Sequence, residues 1–129
     1  MCPVYINRIA SIHAESSNEK PYFSAQEPDY KEMITNANLR RRMSRMIKMG
    51  VACGLECLKD IPSEKVDAII TATGLGCLAD TEKFMNALMD NREQMLNPTA
   101  FIQSTFNTVG AQLALLLKIH AYNVTYVHR

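Results

Sequence analysis

The hydrophobic pattern changes period along this chain, and each period predicts an element. "PVYINRIASI", residues 3–12, is rich in β-branched side chains and predicts a first strand, with imperfect alternation. Residues 13–38 show no sustained period and carry Ser, Asn, Glu and Pro. In a compact domain a connection of that length is usually functional or covered by something else. From about Leu39 to Lys59 the pattern turns helical: Met43, Met46, Ile47, Val51, Leu55 and Leu58 fall near i, i+3, i+4, i+7 spacing. Gly50 and Gly54 lie inside that helix, each costing about 1 kcal/mol against Ala. Close approach of the helix to a strand or another helix is the expected return.

"VDAIITAT", residues 66–73, is a continuous apolar run, which predicts a strand covered on both faces. A glycine turn follows, and Asp80 or Thr81 is expected to cap a helix running through Phe84, Leu88 and Met89 to about Arg92, with Pro98 then breaking the chain. Val109 to Leu117 is apolar nearly all round, interrupted only by Gln112. A helix with no polar face is buried on every side, so more protein is expected around it, either further chain or a partner subunit. Val124 to Val127 predicts a last strand. The order β-α-β-α-α-β indicates an α/β fold with parallel strands.

Composition narrows the function classes. At 129 residues the chain is one domain or a piece of one. A formal net charge of +1 exerts no global pull on nucleic acid or anionic membrane. No stretch reaches the roughly 18 apolar residues of a membrane span, and the N-terminus lacks a secretory pattern, so a cytoplasmic location is expected. Of the four cysteines, Cys2, Cys53, Cys57 and Cys77, the pair at 53 and 57 shares a helix face. Two thiols without further ligands give no expectation of a metal; buried reduced cysteine is the plain reading.

"TATGLGCLADTEKF", residues 71–84, contains G-x-G-x-x-A at Gly74, Gly76 and Ala79. In a dinucleotide site this turn follows the first strand, and an acidic residue some 20 positions on ends the next one. Here the motif follows the second strand candidate, and Glu93 lies in "DNREQMLNP", a polar helix end with no strand before it. The expectation is a tight strand-to-helix turn shaped by Gly74 and Gly76, without a nucleotide.

Several segments, in order and with few gaps from about Leu39 to Val127, resemble the β-ketoacyl-acyl carrier protein synthases. "LRRRMSRMIKMGVACGLECLKD" is similar to that family's first long helix, opened by a basic-basic-Met signature. "TGLGCLADTEKF" resembles its Gly-hydrophobic-Gly-Gly turn, with Cys77 where the last glycine usually stands. "NPTAFIQSTFNTVGAQLALLLK" resembles the stretch from a Ser-Pro loop into a buried helix, with Asn107 and Gln112 matching its usual Asn and Gln. "NVTYV" resembles the strand leading to the catalytic cysteine.

The resemblance implies an α/β, thiolase-like fold, with residues 1–129 as the N-terminal portion of an α-β-α-β-α sandwich that pairs as a homodimer or as a heterodimer with a synthase subunit. It implies decarboxylative condensation of an acyl thioester with malonyl-carrier protein, in fatty acid or polyketide-type synthesis. The family's nucleophile position would fall just after Arg129, and its histidines belong to the second half, so residues 1–129 are expected to be catalytically incomplete. His13, His120 and His128 inherit no role. The two residues before a family nucleophile are small; His128 and Arg129 are not. That departure raises a non-catalytic partner of chain-length-factor type as the alternative; a small basic binding module is a second.

The resemblance also gives the basic run Arg40, Arg41, Arg42 and Arg45 a role in docking acyl carrier protein, whose 4'-phosphopantetheine belongs to the partner. Arg pairs well with carboxylate and phosphate; a solvated basic turn at a helix start is the plain alternative. Nucleic acid is not expected, for want of an extended basic surface. Phe101, Thr105 and Phe106 fall where the family lines its acyl pocket near the dimer seam, with core packing as the alternative.

Overall fold

A computed structural model describes residues 3–14 and 24–128 of the chain. Its centre is a helix, α3 (Arg45–Cys57), lying beside a second, α6 (Thr108–Leu117). Both pack near a two-stranded parallel sheet, β1 (Ala68–Thr73) and β2 (Tyr122–Val127). Around them stand α1 (Tyr30–Met33), α2 (Ala37–Arg42), α4 (Leu78–Asp90) and α5 (Pro98–Ser104), with a 3-10 turn at Ser63–Lys65 before β1. The core joins Ile34, Met43, Ile47 and Val51 to Ile69, Cys77, Leu113 and Ile119.

The mid-helix glycines explain how α3 and α6 come together. A Cβ on Gly50 would stand 2.8 Å from Val109 Cγ1, and one on Gly54 would stand 2.5 Å from Leu113 Cδ1. Both pairs advance by four residues in the same direction, so the two helices run parallel and mesh one turn at a time. Gly110, on α6, meets the sheet in the same way: its Cβ would lie 2.7 Å from Asn123 Oδ1, while Asn123 Nδ2 donates to the Gly110 carbonyl at 3.0 Å. The absent side chains allow backbone contact across two interfaces.

The register is Ala68 with Tyr122, Ile70 with Val124 and Ala72 with Tyr126, each pair on one face, and Ile69 with Asn123, Thr71 with Thr125 and Thr73 with Val127 on the other. On that second, inner face Thr71 and Thr125 share a hydroxyl hydrogen bond of 2.6 Å.

Several expectations need correction. Residues 3–13 form no strand; they run as an irregular arm whose Arg8 guanidinium donates to the carbonyls of Glu56 (3.1 Å) and Lys59 (2.8 Å) at the end of α3. Glu56 O otherwise receives only weak local bonds such as that from Lys59 N at 3.4 Å, and binding these carbonyls holds the arm beside the helix rather than at the sheet. The single helix expected over 39–59 is broken at Met43 and Ser44, where the backbone turns extended and Ser44 becomes the N-cap of α3. The connection before it contains α1 and α2, capped by the side chains of Asp29 and Asn36. Pro98 does not break the chain; it opens α5, where a missing N–H costs nothing, and the Asn97 side chain accepts from Thr99 N. The N-cap of α4 is Cys77, not Asp80 or Thr81. β1, finally, is covered on one face only: Ile69 is buried, whereas Ile70 is exposed.

Candidate functional site

The site begins at the carboxyl end of β1. Thr73 Oγ1 accepts a hydrogen bond from Gly76 N at 2.9 Å, which closes the turn. Gly76 has φ +61°, a left-handed conformation costly for any residue with a Cβ, and a Cβ there would come within 2.5 Å of Phe106 Cδ1. Gly74 is different: its φ is ordinary, and a Cβ would only touch the His128 carbonyl at 3.5 Å. The two glycines of the motif therefore do unequal work, and Gly76 alone is required by the turn. His128 N continues the ladder to Thr73 O at 3.1 Å, so the end of β2 lies against this same turn.

Below the turn is a largely apolar groove of about 390 Å³, bounded by Met46, Gly50 and Gly54 of α3, by Phe106, and by Cys77. Residues 69–73 of β1 line it consecutively. Consecutive strand residues face opposite ways, so the groove follows the strand's unpaired edge as well as its inner face. Burial, and then the nearby Asp80 carboxylate, push the Cys77 thiol above its ordinary pKa, leaving it protonated and a poor nucleophile at neutral pH.

The structure separates Phe101, Thr105 and Phe106. Phe106 lines the groove. Phe101 sits on Phe84 across α4 and α5, ring centroids 5.6 Å apart and tilted by 59°. Thr105 belongs to the corner between α5 and α6, donating to the Ile102 carbonyl at 2.8 Å and lying 2.9 Å from the hydroxyl of the buried Thr108. An isolated Thr in "NTVGAQ" carries no signal until the corner is folded.

The basic run lies on two helices. Arg40, Arg41 and Arg42 occupy the last turn of α2, and Arg45 the first position of α3. Because the helix breaks at Met43, three of the four charges lie at a helix C-terminus, where the macrodipole favours them, rather than at a helix start. Arg40 Nη1 donates to the Ile34 carbonyl. Arg45 Nε pairs with Glu27, whose carboxylate also accepts from Tyr30 Oη at 2.7 Å. The hydrogen bond from Tyr30, followed by that from Arg45, holds Glu27 below the usual carboxylate range. Desolvation and the bond to Glu27 push Tyr30 above the ordinary phenol range. Arg41 and Arg42 are exposed. The Glu27 latch left no trace in the sequence, its partner being 18 residues away.

Of the three histidines, His13 Nδ1 meets Ser11 Oγ at 3.2 Å, and His120 and His128 are exposed on other parts of the molecule. Burial raises the Cys53 thiol, with Cys57 adding to the shift. Among the described residues no group of three or more His, Cys, Asp or Glu converges as a metal site, and no single helix is long and apolar enough to cross a membrane. Cys2 and Arg129 lie outside the described residues.

Comparison with known proteins gives this geometry a context. The family model described as "Beta-ketoacyl synthase, N-terminal domain" matches residues 13–125. Among solved structures, a chain of the ketosynthase (ApeO) in complex with its chain length factor (ApeC) from Xenorhabdus doucetiae is similar, with 24% identity and a TM-score of 0.60. The match covers 89% of this chain and 43% of that one, so the present chain spans less than half the length of its structural neighbour. No curated protein matches the chain.

Proposed function

The chain belongs to the β-ketoacyl synthase N-terminal domain family, with an α/β thiolase-like fold, and on that premise we propose that it works in carrier-protein-dependent carbon-chain synthesis, paired with a synthase-type subunit. In this reading residues 1–129 supply the carrier-facing basic surface around Arg40, Arg41, Arg42 and Arg45, and Phe106 and its groove supply part of an acyl-chain wall. The observation that carries the reading is the family match over residues 13–125. The reaction served is decarboxylative condensation of an acyl thioester with malonyl-carrier protein, in fatty acid or polyketide-type synthesis.

A second reading is a non-catalytic subunit of chain-length-factor type. His128 favours it: its backbone N donates to Thr73 O just past β2, and its side chain is bulky where a synthase needs small residues before its nucleophile. The structural neighbour is itself a ketosynthase complexed with a chain length factor, which supports a heterodimer.

Native mass spectrometry of the full-length chain, alone and mixed with a synthase subunit, tests the pairing. A one-to-one complex is expected. A chain that stays monomeric in the presence of that subunit, at micromolar concentration, contradicts it.

A further inference from the structure

Gln112 is the single polar residue in the apolar run 109–117, and its surroundings give it a use. A cavity of about 120 Å³ lies where α2, α3, α5 and α6 meet, walled by the apolar side chains of Leu39, Met43, Ile47 and Ile102. Gln112 lines it, and its Oε1 is buried with no hydrogen-bond donor among the described residues. A buried acceptor left unpaired carries the whole cost of its desolvation, and native structures seldom leave one so.

The neighbours differ in what they can offer it. Thr108, one turn earlier on the same face of α6, also lines the cavity. Its one hydroxyl proton is already used, on the Ile102 carbonyl at 2.6 Å or the Thr105 carbonyl at 3.0 Å. Arg42 stands at the rim, on the last residue of α2. It is exposed, and among the described residues it has no part in the two ion pairs, Arg8 with Asp60 and Arg45 with Glu27. A guanidinium has five donors and no acceptor. It is weakly hydrated for a cation, and the Arg stem packs readily on apolar side chains, which this wall supplies.

We propose that Arg42 is a lid on this cavity: its guanidinium folds inward and donates to Gln112 Oε1, tying the end of α2 to the middle of α6. Closing the lid also changes the surface. Arg40 is bonded to the Ile34 carbonyl and Arg45 to Glu27, so withdrawal of Arg42 leaves Arg41 as the exposed member of the run outside those contacts. The cavity thereby sets how much positive charge this face presents. The inference does not depend on the carrier-protein reading above.

The test is a double-mutant cycle on the full-length chain, read as the unfolding equilibrium constant in chemical denaturation. Arg42→Met and Gln112→Met should each raise that constant by about fivefold, and the double variant should be no worse than the worse single within about twofold. Multiplying effects, or a Gln112→Met variant as stable as the unaltered chain or more so, overturn the lid. Gln103, on α5, lines the same cavity and carries an amide donor, so Gln103→Met with Gln112→Met forms the control cycle. Multiplying effects are expected there; coupling at Gln103 in place of Arg42 gives the acceptor a different partner and overturns the proposal. If Gln112→Met does not fold, Gln112→Glu replaces it. A carboxylate facing the guanidinium should make Arg42→Met about tenfold more costly than in the unaltered chain, and an equal cost in both backgrounds overturns the lid.

Discussion

Ile69 and Ile70 are sequence neighbours with the same side chain, yet Ile69 is 8% exposed and Ile70 is 65% exposed. They belong to opposite faces of β1. On the inner face Ile69 joins the core under α3 and α6, and its row includes Asn123, locked onto Gly110. On the outer face Ile70 stands beside Val124, with Tyr122 and Tyr126 65% and 60% exposed along the same row. One face is fitted to its cover atom by atom; the other is an apolar surface waiting for cover. Parallel strands normally have both faces covered. The contrast explains why an unbroken apolar run, correctly read as a strand, gives a chain only half enclosed.

Substitutions on the two faces should differ sharply. The largest effect is expected at the α3–α6 seam that roofs the inner face. Gly54→Val would force side-chain carbon into Leu113, itself buried, and should destabilise the chain by about 3 kcal/mol, as overpacking does. A chemical denaturation midpoint unchanged by that substitution would mean that the helices are not in contact there. Next comes Gly76→Ala, where left-handed backbone and crowding by Phe106 together should cost about 2 kcal/mol. Gly74→Ala, at the turn's other glycine, should cost less than about 0.5 kcal/mol. Similar losses at both positions would break the distinction drawn between them.

On the outer face the stability effect should vanish. An exposed apolar row of Ile70, Tyr122 and Tyr126 favours association between copies, so Ile70→Lys should leave Tm nearly unchanged and give a smaller particle by light scattering. A large fall in Tm would show that the face is covered. The smallest effect lies far from the sheet, at the Glu27 latch. Its carboxylate is held below the ordinary range, so the stability it contributes is present above the unfolded-state pKa of about 4.3 and is lost as pH falls through the folded value. Glu27→Gln should flatten the acid limb of the Tm profile below about pH 4.5 and leave the neutral region alone.

The elements easiest to read in the sequence were those whose signal is local. The apolar helix expected at 109–117 and the strands expected at 66–73 and 124–127 appear as α6, β1 and β2, the last beginning two residues earlier, at Tyr122. Gly50 and Gly54 announced a close contact, and the structure supplies Val109 and Leu113 as its other side. Asn97-Pro98 is a readable helix start, since Asn caps and Pro suits the first turn, whereas Pro98 considered alone predicts a break. The arm over 3–12 failed for a different reason: β-branched residues become a strand only beside an unpaired edge, and Arg8 fixes this arm to the end of α3 instead. At the site, the turn at Gly76 was legible, whereas the dispersal of Phe101, Thr105 and Phe106 was not. Three nearby residues in a helix–helix corner point toward three different neighbours, and only the corner's geometry decides which.

The family match makes this chain the N-terminal part of a β-ketoacyl synthase-type protein, and the proposed role follows from that. The most direct measurement is condensation itself: malonyl-carrier protein and an acyl thioester, with products followed by mass spectrometry. The full-length chain would be assayed alone and together with a synthase subunit. A β-ketoacyl product that appears or grows longer when the chain is present is the predicted result. A product profile that is identical with and without the chain, while the synthase subunit is active, would contradict the account.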